Sequence, residues 1–260
     1  MAPDPEFFFQ SKSHGECLDR LEISLRLNRG LNVVIGGIGT GKTMLSRLLL
    51  GRFVEFGENY KFHLILDPTW EDNHEFLGYL SKMFEIKGKA LQHSEMMDRI
   101  EHYLIDSAVH SKRSNVLIID EGQKMGPNQL EIIRMLLNFE TNDSKLIQVI
   151  IFAQHEIKEL LNKHENFKDR IAFGYEINPL DVEDTKGFIT HRLEVAGLLK
   201  GEEIFSDRAI DLIHEETKGY PRKIVRMCHQ LIIEMLLKQK EKISNDDVFD
   251  FMKSSNPLNV

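Results

Sequence analysis

Short apolar runs alternate with helical periodicities along the first two thirds of the chain. The runs Leu31–Ile35, Lys61–Leu66, Asn115–Asp120, Leu146–Phe152 and Ile171–Ile177 are rich in β-branched side chains, and most are closed by Gly, Asp or Pro. Brevity and near-continuous hydrophobicity are the marks of strands buried on both faces, as in a parallel sheet. Between them the apolar spacing changes to that of helices. Ser13–Leu27 places Leu18, Leu21 and Leu25 on one face, with Ser13 as expected N-cap and Glu16 completing a capping box. A second helix runs from Met44 to about Phe56, with Gly57 as its stop, and others are expected over Glu71–Phe84 and Leu91–His110. Pro127 opens a helix that carries Leu130, Ile133, Leu136 and Leu137 on one stripe, and a shorter helix lies near Glu156–Lys163. After Pro179 the strand signal ends, and Asp181–Val195, Ser206–Thr217, Pro221–Lys238 and Ser244–Lys253 all have helical patterns. Strands alternating with helices predict an α/β domain over residues 1–179, followed by a small helical domain over 180–260.

Composition narrows the class of protein. Of 260 residues, 42% are hydrophobic and 28% charged, enough apolar material for a sizeable core in a globular chain. The N-terminus lacks a basic region followed by an apolar run, so it does not resemble a secretory signal. No uninterrupted apolar stretch approaches the roughly 20 residues that span a bilayer. A cytoplasmic location is therefore expected, with the inner face of a membrane reached only through partners. Cys17 and Cys228 match no metal or redox spacing and are expected as buried small hydrophobes. A formal net charge of −8 argues against broad non-specific binding to nucleic acid, though a local basic patch could exist within it.

The chemistry begins at Gly36–Thr43, which fits the phosphate-loop pattern G-x-x-x-x-G-K-[ST] between a strand and a helix. In such a loop the backbone N–H groups of Gly37, Ile38, Gly39, Thr40 and Gly41 can turn toward phosphate oxygens, and the following helix N-terminus favours the anion. Lys42 would reach the β- and γ-phosphates, and Thr43 would place its hydroxyl on Mg²⁺. The strand ending at Asp120-Glu121 complements the loop, because open α/β sheets bind ligands at the C-terminal ends of their strands. Asp120 would hold Mg²⁺ through its water shell, and Glu121 would orient and polarise an attacking water. A base of its own favours hydrolysis over transfer to another acceptor.

Further polar residues stand at ends of elements. Gln154, at the tip of the next strand, is the candidate γ-phosphate sensor; the alternative is that it caps the following helix. His155 beside it is expected to face solvent. Arg170 precedes the last strand and is either a surface charge or an arginine presented to a neighbouring subunit's transition state. Pro221 fixes the start of a helix, from which Arg222 could reach a γ-phosphate and couple nucleotide state to a hinge. The basic residues Arg222, Lys223, Arg226, Lys238, Lys240 and Lys242 form either a solvated face or a nucleic-acid surface.

With these residues assembled, the chain resembles the AAA+ ATPases, in the branch that includes general secretion pathway protein A. The likeness rests on Phe9–Glu16, Gly36–Thr43, Ile119–Gln123, Leu136–Glu140, Ala153–Glu156, Arg170-Ile171, Arg192-Leu193 and Gly219–Arg222. It implies a three-layer P-loop sandwich with a five-stranded parallel sheet of order 5-1-4-3-2 and a C-terminal helical lid. It also implies ATP and Mg²⁺ as ligands, His14 lining the adenine pocket, Arg222 as lid sensor and Arg170 as arginine finger. The family usually has Thr where Met44 stands, so only the backbone N–H remains there for the α-phosphate; it often has Ala where Gly122 stands and Pro where His155 stands. Larger members continue into a membrane segment and a peptidoglycan-binding domain, whereas this chain stops at Val260, leaving any envelope-anchoring role outside it. The resemblance implies hydrolysis of ATP to ADP and phosphate to drive conformational change in a secretion or pilus-assembly system, through a nucleotide-dependent homo-oligomer. The alternative is a nucleotide-gated DNA-binding regulator similar to transposition ATPases.

Overall fold

The structure is a computed structural model that describes residues 5–54, 59–88, 92–141 and 144–254. The expected helix end at Phe56 and Gly57 and the expected helix start at Leu91 lie outside those residues. The elements are α1 (Lys12–Arg26), β1 (Leu31–Gly36), α2 (Lys42–Val54), β2 (Tyr60–Ile65), α3 (Asn73–Met83), α4 (His93–Val109), β3 (Ser114–Ile119), α5 (Pro127–Leu136), β4 (Ile147–Ala153), α6 (Ile157–Asn162), α7 (Glu165–Lys168), β5 (Ile171–Ile177), α8 (Val182–Val195), α9 (Asp207–Thr217), α10 (Pro221–Leu237) and α11 (Asn245–Ser254).

The strands pair in the order β5-β1-β4-β3-β2, all parallel, the order that the resemblance implied. Each apolar run is a strand, and the three inner ones, β1, β4 and β3, bury both faces. Every residue of β4, which lies between β1 and β3, is buried, whereas edge strand β5 alternates between partly buried and exposed side chains. One face of the sheet carries Leu31, Val33, Leu117, Ile119, Val149 and Ile151, packed with Leu80, Leu104 and Leu136 from α3, α4 and α5. Fully burying such a side chain stabilises the fold by ~1.5–3 kcal/mol. Against the sheet from α1, the Leu25 carbonyl accepts a hydrogen bond from Gln148 Nε2 of β4.

Helix starts follow their caps. Asp72, Asp181 and Ser206 each accept a backbone N–H from the first turn of α3, α8 and α9. The capping box expected at Ser13 and Glu16 is displaced: α1 begins at Lys12, and Ser11 Oγ accepts the His14 N–H at 3.4 Å, so Ser13 stands inside the first turn. Helix α7 is a single turn, too short to register as a 3.6-residue period, and it was not expected from the sequence. Burial pushes the Cys17 and Cys228 thiols up to about 12, which leaves both as inert thiols. Among the described residues no helix is long and apolar enough to cross a membrane.

The chain divides into two compact units. One comprises Glu16–Gly36 and Lys42–Ile177 and contains the whole sheet. The other comprises the residues before Glu16, the loop Gly37–Gly41 and the residues from Asn178 onward. Its core is formed by Phe188, Ile189, Ile210, Ile213, Ile224 and Leu231, among others. Phe9 packs against that core, and its ring occupies the place where a Cβ on Gly187 would lie, 2.8 Å away. Arg192 fastens the same N-terminal segment by stacking 5.1 Å from the Phe7 ring centroid and donating to the Phe7 carbonyl.

Within this second unit Gly219 is irreplaceable for two reasons. Its φ is +71°, and a Cβ would stand 2.0 Å from the Leu180 carbonyl oxygen, in the backbone pair where the Leu180 N–H donates to the Gly219 carbonyl. Gly219→Ala is expected to cost ~3 kcal/mol or more, from left-handed strain plus a backbone collision that no rotamer relieves. A thermal melt checks this, and a melting temperature equal to the parent's would contradict it.

Candidate nucleotide site

In the sheet unit, the side chains of interest gather at the C-terminal ends of β1, β3 and β4. Lys42 opens α2 immediately after the loop, and its Nζ donates to the Gly36 carbonyl at 2.8 Å. The lysine is only 6% exposed, so its ammonium is held against the backbone rather than extended into solvent. Thr43 Oγ1 donates to Asp120 Oδ2 at 2.6 Å. Asp120 is buried just past β3, and its other oxygen, Oδ1, accepts the Glu121 N–H at 2.9 Å. A hydroxyl and a carboxylate facing each other are an all-oxygen donor pair of the kind that suits Mg²⁺, which keeps most of its waters and takes few protein ligands. Among the described residues no group of three or more His, Cys, Asp or Glu could hold a metal ion. Met44 follows in the first turn of α2, partly buried.

Glu121 has a left-handed backbone, φ 53° and ψ 34°. For a residue other than Gly this costs on the order of 1–3 kcal/mol, and such strain concentrates at functional sites. The neighbourhood holds it in place. The Lys124 N–H donates to the Glu121 carbonyl, and a Cβ on Gly122 would lie 2.4 Å from Ile151 Cγ2. Close packing of this turn on β4 explains why Gly stands where the family often has Ala. The Glu121 carboxylate accepts Gln123 Nε2 on Oε2 at 2.7 Å, and Gln154 Nε2 approaches the same oxygen at 3.4 Å.

Gln154 therefore turns its side chain toward Glu121. Only its backbone meets the next helix, the Gln154 carbonyl accepting the Ile157 N–H, while the N-cap of α6 is Glu156. His155 is exposed, 3.6 Å from Glu176. Arg170 is also exposed and lies at the other end of the sheet from the carboxylates. Its neighbour Ile171 is level with Leu31, Val149 and Leu117, three residues short of Asp120 and three strands away. Strand spacing and rise put Arg170 ~20 Å from Asp120, too far for it to act within its own subunit.

The remaining predicted residues belong to the second unit. Gly37–Gly41 forms a turn in which Thr40 Oγ1 donates to the Gly37 carbonyl at 2.9 Å, while Ile38 is 63% exposed. His14 is buried, with Nε2 2.7 Å from the Thr40 carbonyl and Nδ1 2.6 Å from Ser11 Oγ. A carbonyl only accepts, so Nε2 carries the proton and Nδ1 accepts from the Ser11 hydroxyl. Burial lowers the imidazole pKa, opposed by the Thr40 hydrogen bond and the Asp184 charge, which fits that neutral tautomer. His14 thus braces the loop through Thr40, a role the sequence did not reveal. Pro221 is the first residue of α10, after Tyr220 as N-cap. The Arg222 Cβ and the Tyr220 ring lie 2.7 and 2.8 Å from where Cβ atoms on Gly39 and Gly37 would stand. Arg222 is therefore beside the loop, with its side chain exposed. Of the basic residues in the C-terminal helices, Lys238 pairs with Glu234, Lys240 pairs with Asp247, and Lys223 lies over the Tyr220 ring.

The AAA domain family matches residues 25–161. General secretion pathway protein A of Aeromonas hydrophila is 30% identical over 251 residues, which covers 95% of this chain and 45% of that protein. An uncharacterized HTH-type transcriptional regulator of Methanocaldococcus jannaschii is 25% identical over 162 residues, covering 62% of this chain and 40% of the regulator. The chain thus spans less than half the length of these curated relatives. Among solved structures, the ORC2 protein of Aeropyrum pernix, in ADPNP–ADP complexes, is similar with a TM-score of 0.68 at 15% identity, over 100% of this chain and 73% of that one. The Holliday junction branch migration motor RuvB of Thermotoga maritima gives 0.63 at 17% identity, over 95% and 70%. At such identities the likeness is one of fold.

Proposed function

Because the chain belongs to the AAA domain family, we propose that it binds ATP with Mg²⁺ and hydrolyses it to ADP and phosphate. The observation that carries this reading is the convergence of Thr43, Asp120, Glu121 and Gln154 at neighbouring strand ends, beside the buried Lys42. The backbone of Gly37–Thr43 and the N–H of Met44 hold the phosphate chain. Lys42 exchanges the Gly36 carbonyl for β- and γ-phosphate oxygens. Thr43 and Asp120 would hold Mg²⁺, which would supply neutralising charge to the phosphates. Glu121 accepts a proton from the attacking water as its oxygen bonds to the γ-phosphorus and the bond to the ADP oxygen breaks. Gln154 positions water and γ-phosphate, His14 keeps the loop in shape on the adenine side, and Arg222 with Pro221 reports nucleotide state to residues 180–260. Arg170, remote from its own carboxylates, serves a neighbouring subunit.

The biological setting we infer is a secretion or pilus-assembly system, supported by the identity to general secretion pathway protein A along nearly the whole chain. The ion pairs of Lys238 and Lys240 weigh against the DNA-binding alternative. Phosphate release per subunit is expected to rise with protein concentration and to stop in excess EDTA. A rate that is independent of concentration would remove the role in trans for Arg170, and hydrolysis that persists in EDTA would remove the Mg²⁺ assignment.

A further inference from the structure

We propose that Gln123 is a positioning residue that sets the Glu121 carboxylate and links it to the tip of β4, an inference that rests on hydrolysis by Glu121. The Gln123 amide has two partners. Its Oε1 accepts the Gln154 backbone N–H at 2.9 Å, and its Nε2 donates to Glu121 Oε2 at 2.7 Å. The orientation of the amide follows from chemistry alone. A backbone N–H can only donate, so the atom facing it is oxygen, and the other end must be the NH₂ that an ionised carboxylate accepts. Both ends of the side chain are satisfied by groups that leave it no second arrangement.

This single amide does two things to Glu121. It occupies Oε2 together with Gln154 Nε2, and among the described residues Oε1 has no hydrogen bond. One oxygen is thus fixed and the other left to receive the proton of a water. It also couples Glu121 to Gln154 through the backbone of Gln154 rather than its side chain. When the Gln154 side chain turns to a γ-phosphate, the tether from its N–H through Gln123 keeps the carboxylate in register with the strand tip. A base aligned by two amide donors spends less time in unproductive rotamers, which is the effect of pre-organisation on turnover.

The test uses the whole chain at a concentration where parental turnover is maximal. Gln123→Glu keeps the shape and the acceptor but replaces the donor by a charge that repels Glu121, and Gln123→Met keeps volume without either hydrogen bond. Both are expected to bind ATP as the parent does, with KM unchanged, and to lose ~10–100-fold in kcat, the worth of a hydrogen bond to a charged group. In the Glu121→Gln background, Gln123→Met is expected to have no further effect on the residual rate, because the group it positions is gone. Parental kcat in Gln123→Glu would overturn the proposal. So would a kcat loss accompanied by an equal loss of ATP affinity, or the same proportional loss in the Glu121→Gln background. Parental turnover in Glu121→Gln alone would instead remove the hydrolytic reading itself.

Discussion

Lys42→Ala is expected to abolish ATP binding at ordinary concentrations, raising Kd by ~10²–10³-fold. The estimate follows from losing one or two charge-assisted hydrogen bonds to phosphate, each worth ~1.5–3 kcal/mol. The lysine is well placed for this because its ammonium already lies buried against the Gly36 carbonyl, at the junction of strand and loop. No other ammonium stands in the first turn of α2, so nothing replaces it. Titration with a fluorescent ATP analogue reads the effect directly. Retained affinity would mean that the loop does not hold phosphate. A circular dichroism melt near that of the parent would separate lost contact from lost structure.

Glu121→Gln is expected to do the opposite, leaving ATP affinity at or above the parental value and lowering kcat by ~10²–10⁴-fold, the contribution of a general base. The replacement is close to isosteric. The introduced amide oxygen can still accept from Gln123 Nε2, so the turn after β3 keeps its shape while the group able to take a proton is lost. Nucleotide should therefore remain bound and uncleaved, which a stoichiometric retention assay after gel filtration would detect. Hydrolysis at the parental rate would remove Glu121 from the mechanism. Together the two substitutions divide binding from chemistry along the line that the geometry suggests, with Lys42 and the loop on one side and Glu121 on the other.

Much of the fold could be read from local pattern. The five strands are short, apolar and bounded by turn residues, so the burial of the inner three followed from hydrophobicity alone. Lys42, Thr43, Asp120 and Glu121 were visible because fixed spacing and strand ends declare them. What escaped the sequence depends on contacts between distant residues. Gln123 stands in the sequence as no more than the end of a motif, because its role requires the N–H of Gln154, 31 residues later. The brace from His14 to Thr40 spans 26 residues, and no periodicity announces it. The cap of α1 falls at Ser11 and not at the expected Ser13, since Ser11 Oγ accepts the His14 N–H. The remoteness of Arg170 from Asp120 could be seen only once the register of four strands was known.

The left-handed backbone of Glu121 has a consequence for how this chain can change. Glycine or asparagine would occupy that conformation with less strain, so the parental residue is an optimum for activity and not for stability. Selection for heat resistance alone would be drawn toward position 121 and would recover chains that melt later and no longer turn over. Selection for turnover would keep an acidic residue there and seek its stability elsewhere, in the cores of the two units.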